Sequence, residues 1–478
     1  MPYRQVGLIC PSESVHFLVE YLKKLRFDVR ALWTPEPDLT IQASAEHEIP
    51  FSASRPDEVL LKKEVQMIII TGRPQIHSKI AIKALGIGKH VLCDAPVTLN
   101  TSDAMKMVQA AQYYPQLLAL VGYGLRHLNV FRRARELIKN GYIGKPIACE
   151  CSVRTGALLM ADHFDWLWEH SMGGGVLNLV GCHVIDVISY LTQKRATRVQ
   201  GMVKCSGLAA ADGRGYSKEI NETDFIWMNG NDKSHSNEAK HQHSPSLSSA
   251  GVGFRRVNAD DFASFLLKFD NDFVATVTLN ALSESISVGP ASTGGGSSPS
   301  SSRPYFRQRL LISGTEGQLE IQDNEIHGIS FRAASKTKGT TAGQPANDCR
   351  QTTSNFMELL FSDSDAGTEN STGNHNDAFA LRSVVPDFYV SGFLNLLREL
   401  AEVLPAYEKE QRHSSAIQSR NQFGIDRGVV SWQSGSLASL ASFEDAQYVR
   451  AVIDAVRHSS EKGDWVKVDL RQHEDMRH

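Results

Sequence analysis

The chain reads as an α/β protein: an N-terminal doubly wound parallel sheet, then a C-terminal α/β domain with a large, mostly antiparallel sheet. Three observations predict this. Over 1–123, short apolar runs alternate with amphipathic helical segments, as strands covered by helices on both faces do. The run VQMIIIT at 65–71 is apolar and β-branched almost throughout, as expected of a central parallel strand. From 147 onward, runs such as IACECSVR alternate apolar with polar residues, so one face of that sheet meets water.

The first strand is RQVGLIC at 4–10. Ser12 and Ser14 precede an amphipathic helix over 15–25, and either could cap it. Strand 28–33, helices 39–46 and 56–62, strand 65–71, helix 75–86, strand 90–94, helix 100–113 and strand 117–123 complete the first domain. Ligands of such sheets bind at the carboxyl ends of the strands. The second domain, 124–470, opens with a helix over 131–140 and the turn GYIGKP at 141–146, followed by strand 147–154. Trp166 and Trp168 precede the stretch Gly173–Asp186, GGGVLNLVGCHVID, in which three glycines feed an apolar helix. Further strands are expected at 197–204, 262–269, 273–281, 308–313 and 318–322, helices at 388–404 and 442–459, and a last strand at 463–468. Segments 229–251, 284–304 and 333–380 carry too little apolar patterning to order and read as disordered insertions. His235, His241 and His243 read as part of a polar tract rather than a metal site.

At 478 residues, with 41% hydrophobic and 22% charged, the chain can bury two or three domain cores. A net charge of −3 argues against a nucleic-acid binder. No run is taken as long enough to cross a membrane. Seven scattered cysteines, mostly in apolar runs, indicate buried thiols in a reducing compartment. No CxxC pair exists, so no metal site is expected. The N-terminus reads as a first strand rather than a cleaved signal, so a cytoplasmic protein is expected, with non-classical export as the alternative.

The first strand-to-helix turn lacks the phosphate-binding G-x-G-x-x-G. The residues Cys10-Pro11-Ser12-Glu13-Ser14 still place hydroxyls and N–H groups at a helix N-terminus, which favours an anion, while Glu13 opposes it. The second strand ends Leu32-Trp33-Thr34-Pro35, without the acid that holds the ribose hydroxyls of NAD; this tips the expectation toward NADP over NAD. His183 is the polar side chain of the glycine-rich helix, either a base titrating near working pH or a satisfied core histidine. Asp186, three residues on, either orients it or is solvated, and the solvated reading is preferred.

Several phrases resemble the glucose–fructose oxidoreductase, inositol dehydrogenase and rhizopine catabolism (Gfo/Idh/MocA) family, and within it the animal glucose–fructose oxidoreductase domain-containing proteins. Pro74 and His77 in RPQIH, followed by LGIGKHVLCDAP, make the strongest match in the first domain, and Gly88, Lys89, His90, Val91 and Pro96 stand as in the family. Asp94 keeps the charge of the family glutamate. Ala95 replaces the family lysine that contacts nicotinamide and substrate. Gly181 and His183 match the family's glycine-rich helix, but Leu179 stands where its aspartate belongs. Further similar phrases lie at 131–146 and 441–468.

The resemblance implies an N-terminal Rossmann domain, and a C-terminal sheet serving as the face of a homodimer or higher homo-oligomer. It implies dinucleotide contacts from Cys10, Ser12, Pro74, His77, Asp94 and Pro96, and a substrate pocket at Gly174, Gly175 and Asn178, with His183 as base. Two functions follow. One is NAD(P)-dependent oxidation of a sugar or polyol-like substrate. The other is a non-catalytic binding or scaffold protein, for which a role among animal relatives in extracellular matrix organisation makes secretion the alternative localisation. Loss of the glycine fingerprint, the lysine and the aspartate favours weak or absent turnover with the nucleotide site kept.

Overall fold

The computed structural model describes residues 4–155, 166–205, 217–219, 254–256, 258–281, 306–322, 324–331, 357–363, 387–418, 437 and 439–470. In the first sheet, β1 (Gln5–Ile9), β2 (Asp28–Trp33), β3 (Phe51–Ser52), β4 (Met67–Ile70), β5 (His90–Asp94) and β6 (Ala119–Gly122) run parallel in the order β6-β5-β4-β1-β2-β3. Strand order reverses between β1 and β4, which opens a crevice at their carboxyl ends. Met67–Ile70 are buried on both faces, as their uninterrupted apolar run requires. Helices α1 (Val15–Lys24), α2 (Pro37–Glu46), α3 (Pro56–Leu60), α4 (His77–Gly86) and α5 (Thr101–Tyr113) connect the strands.

After α6 (Asn129–Lys139) come β7 (Pro146–Thr155), α7 (Cys182–Thr192) and β8 (Ala196–Lys204), then a two-stranded ribbon of β9 (Ser217–Glu219) and β10 (Phe254–Arg256). β11 (Phe262–Phe269), β12 (Val274–Asn280), β13 (Phe306–Gly314), β14 (Gly317–Gln322), β15 (Glu325–Ser330) and β16 (Glu358–Ser362) follow. The chain ends with α8 (Asp387–Gln418), β17 (Ala441–Ser442), α9 (Phe443–Lys462) and β18 (Val466–Lys467). The second sheet is ordered β16-β15-β14-β13-β7-β12-β11-β8-β18 and is antiparallel except for the β7–β12 pair. Its inner face carries α7, α6 and α9.

Several expectations change. The boundary expected at 123/124 is crossed by the end of the chain. β17 pairs antiparallel with β6, Ala441 opposite Val121, and Leu394, Leu397, Leu400 and Leu404 of α8 join Val6, Leu8, Leu92 and Leu120 in one core. β16 lies inside 333–380, so that segment is not wholly without order. Segments 229–251 and 284–304, the rest of 333–380, and His235, His241 and His243 lie outside the described residues. The phrase expected as a strand at 463–468 begins as a helix end, because Gly463, at φ 75°, terminates α9. Finally, one helical stretch, His170–Thr192, is long and apolar enough to cross a membrane by length and composition, but 89% of its apolar window is buried within the protein, where it serves as a core helix.

Candidate functional site: a cleft at the carboxyl ends of the parallel strands

A cavity of about 200 Å³ lies across the carboxyl ends of β1, β2, β4, β5 and β6. Cys10 and Pro11 line it after β1, Trp33 and Glu36 at and after β2, Thr71–Arg73 after β4, Asp94–Pro96 from β5 onward, and Gly122 at β6. Leu179, Val180 and His183 form the opposite wall, and Tyr389 and Phe393 of α8 close it above.

The β1–α1 turn is a tight one: Ser14 N–H donates to the Pro11 carbonyl at 3.0 Å. Gly72, at φ 96°, comes so close to Pro11 that a Cβ would lie 2.7 Å from its ring. Only glycine tolerates both that backbone and that contact. Cys10 is fully buried, and burial holds its thiol neutral, well above the ordinary range. The Ser12 hydroxyl donates to the Glu36 carboxylate, joining the phosphate-side turn to the loop after β2. Glu36 thus brings a carboxylate to the cavity three residues past the strand end. Arg73 is the cation among the described lining residues.

Of the residues assigned to the nucleotide, Cys10, Asp94 and Pro96 line the cavity, and Ser12 touches it through Glu36. Pro74 and His77 stand behind the wall. Pro74 packs against Gly173, and His77 is fully buried beside the backbone of Pro96 and Thr71, with a pKa pushed down to about 4 by burial. Asp94 Oδ1 accepts the Ala95 N–H at 2.8 Å, and burial raises its carboxyl to about 7.

Gly173, Gly174 and Gly175 are not among the described residues that line the cavity. The Asp260 carboxylate occupies the start of the helix: Leu177 N–H donates to its Oδ2 at 2.7 Å, and Arg457 donates to its Oδ1 at 2.7 Å. Gly175, at φ 99°, leaves room for that carboxylate, since a Cβ would lie 2.5 Å from Asp260 Oδ1. Gly174 lies against the Leu167 carbonyl. Asn178 is likewise spent on structure, accepting from Arg450 at 3.0 Å and donating to the Gly174 carbonyl at 3.3 Å. None of these three is among the described lining residues. Gly181 fits tightly against Leu279 of β12, within a π-helical turn, Leu177–Gly181, that leads into α7. Such turns often re-aim side chains at functional sites.

The side chain presented just after that turn is His183. Its ring stacks on Tyr389 at 4.7 Å and meets the edge of Tyr123 at 5.9 Å. Burial pushes its pKa down to about 4, so the imidazole is neutral in ordinary conditions. Asp186 neither orients His183 nor faces water. It is 1% exposed and takes two hydrogen bonds from Arg126, at 2.8 and 2.5 Å. Arg126 also lies 3.3 Å from Asp445. Tyr389 and Glu36 escaped the sequence reading. Tyr389 sits in a distant helix with no motif, whereas Glu36 could have been found by reading three residues past the end of β2.

A model of the oxidoreductase family with an NAD-binding Rossmann fold matches residues 11–123, and one of the GFO/IDH/MocA C-terminal domain matches 131–320. The chain belongs to the Gfo/Idh/MocA oxidoreductase family. Among curated proteins it is 27% identical over 469 residues to mouse glucose-fructose oxidoreductase domain-containing protein 1, covering 98% of this chain and 93% of that one. It is also 27% identical over 466 residues to the human domain-containing protein 2, covering 97% and 93%. Among solved structures, levoglucosan dehydrogenase in complex with NADH and L-sorbose superposes with a TM-score of 0.62 at 15% identity, over 98% of this chain and 99% of that one. At that identity the likeness speaks for the family fold and leaves the activity to the residues of the cleft.

Proposed function

We propose that this Gfo/Idh/MocA member binds NAD(H) in the cleft and transfers hydride only weakly to or from a sugar- or polyol-like substrate. The observation that carries the reading is the cavity, whose lining runs from Glu36 beside the second strand to His183 on the opposite wall. The lining suits a dinucleotide. A carboxylate at Glu36 can accept both adenosine ribose hydroxyls and repels a 2′-phosphate, which favours NAD over the NADP suggested by the strand end alone. Arg73 offers a cation to the pyrophosphate, against the negative charge of Glu13. NADH in the levoglucosan dehydrogenase neighbours supports the same choice.

The nucleotide supplies hydride acceptance; the proton falls to side chains. His183 is neutral and faces the cavity, but an imidazole with a pKa of about 4 is a weak acceptor for an alcohol proton. Asp94, near 7, is better matched but is held by the Ala95 N–H. Ala95 and Leu179 line the cavity and can neither give nor take a proton. Each missing acid–base contact costs about 10²–10⁴-fold in rate. The same two apolar residues support the second reading, a nucleotide-binding protein without turnover. Met202, Leu266 and Val274, exposed on one face of the second sheet, are the surface through which copies would pair.

Mass spectrometry of nucleotide released on denaturing the purified protein, followed by a polyol screen with added NAD, tests both parts. The expected outcome is NAD in the released fraction and slow reduction that His183→Ala abolishes. Brisk turnover untouched by His183→Ala would overturn the assignment.

A further inference from the structure

Outside the cleft, two histidines and two glutamates converge where α1 meets α2. His16 is the second residue of α1, and Glu20 is one turn further along the same helix face. Glu46 ends α2, and His47 follows it directly. His16 Nδ1 lies 3.2 Å from His47 Nε2 and 3.4 Å from Glu46 Oε1, and the three donor atoms lie within 4.8 Å of one another. We propose that His16, His47 and Glu46 form a binding site for a zinc-class divalent cation that ties the first turn of α1 to the last turn of α2.

Three features support it. First, the spacing is near that of a metal shell. Ligands held at about 2.0–2.2 Å in a tetrahedron stand roughly 3.3–3.6 Å apart, so two of the three edges are already in place and the third lies within 4.8 Å. Second, the donor set is right. Two imidazoles and one carboxylate suit zinc and its transition-metal neighbours, whereas magnesium prefers an all-oxygen shell. Third, an outer carboxylate is present. His47 turns its other nitrogen, Nδ1, toward Glu20 Oε1 at 3.4 Å, while its Nε2 faces the cluster.

His47 is 4% exposed, so its ring is held in place by the packing around it. His16 and Glu46 are each about half exposed, which gives an ion a path in and leaves a position for water. Lys23 lies 3.9 Å from the same Glu20 oxygen. The cation would brace α1 directly beside Phe17 and Leu18, which line the cleft. In sequence, His16 and His47 stand 31 residues apart and match no ligand motif.

Calorimetric titration of the chelator-treated full chain with zinc chloride tests this, with magnesium chloride as the comparison. The chain has 17 histidines, so the reading is the difference between the wild type and His16→Ala or Glu46→Gln, both at half-exposed positions whose replacement leaves the core intact. The expected result is one zinc equivalent in the wild type that is weakened at least about tenfold in each variant. It should be accompanied by a zinc-dependent rise in melting temperature that the variants lose, and no response to magnesium. An X-ray absorption spectrum of the zinc-loaded protein should show two imidazole ligands in the wild type and one in His16→Ala. Identical isotherms in wild type and variants, or no zinc uptake below about 100 μM, would overturn the site and leave a hydrogen-bonded cluster only.

Discussion

Replacing Asp186 by alanine should destabilise the fold around the helix that presents His183. Asp186 takes two charge-assisted bonds from Arg126, and the two side chains are 1% and 8% exposed. Burial pushes the Asp186 carboxyl up to about 6 although Arg126 pulls the other way, so the pair is ionised at neutral pH. Removing one partner of a buried pair costs about 3–5 kcal/mol, because the remaining charge is left without compensation. Here Asp445, 3.3 Å from Arg126, retains part of the compensation, which puts the expected loss near the lower bound, about 3 kcal/mol. With a urea dependence of about 3 kcal/mol/M, the unfolding midpoint falls by about 1 M. Tryptophan fluorescence and circular dichroism across a urea series measure it. The double variant Arg126→Met/Asp186→Leu, which removes both charges, should recover most of the loss. A midpoint shift under about 0.3 M for Asp186→Ala would refute the reasoning, since it would mean the pair behaves as a solvated surface pair worth under about 1 kcal/mol.

Other expectations follow from the same geometry. Gly175→Ala places a Cβ 2.5 Å from Asp260 Oδ1 at a φ of 99°, so it should cost about 1–3 kcal/mol and displace the carboxylate that starts the helix, read as a lower melting temperature. Acidification should destabilise the fold. His77, His90 and His183 are held near a pKa of 4 against 6.5 in the unfolded chain, so their contribution is complete above pH 6.5 and is lost as the pH falls toward 4. Asp94 and Asp186, raised to about 7 and 6, run the opposite way and offset part of that slope; replacing His90 with glutamine should therefore flatten the acid limb of a stability–pH curve. The double variant Ala95→Lys/Leu179→Asp refills both vacant positions and should raise NAD-linked polyol oxidation by about a hundredfold or more. Unchanged turnover would show that those vacancies do not limit the rate.

The parallel sheet was legible because its strands are buried on both faces and its helices are amphipathic, so periodicity and burial coincide. The return of α8 and β17 to the first sheet was not, since nothing local in an apolar helix or a two-residue strand names its partner. The same holds at the site. His183 stood out as a polar residue in an apolar helix, and the structure does place it in the cleft. The glycines before it looked like a ligand cradle because sequence cannot show that Asp260, some eighty residues later, fills the space they open. Asp186 looked solvated because its partner, Arg126, sits 60 residues upstream in a different element. Glu36 was missed because an acid was sought at the strand end, whereas the loop brings a carboxylate to the cavity three residues further on, where it accepts from Ser12.

Nucleotide binding is most directly tested by titrating the purified protein with NADH and with NADPH, following energy transfer from the tryptophans, of which Trp33 and Trp166 line the cavity. The cleft predicts saturable NADH binding, at least about tenfold tighter than NADPH, a difference of about 1.4 kcal/mol that Glu36→Gln should narrow. Absence of NADH binding up to millimolar concentration, or tighter binding of NADPH that Glu36→Gln leaves unchanged, would contradict it.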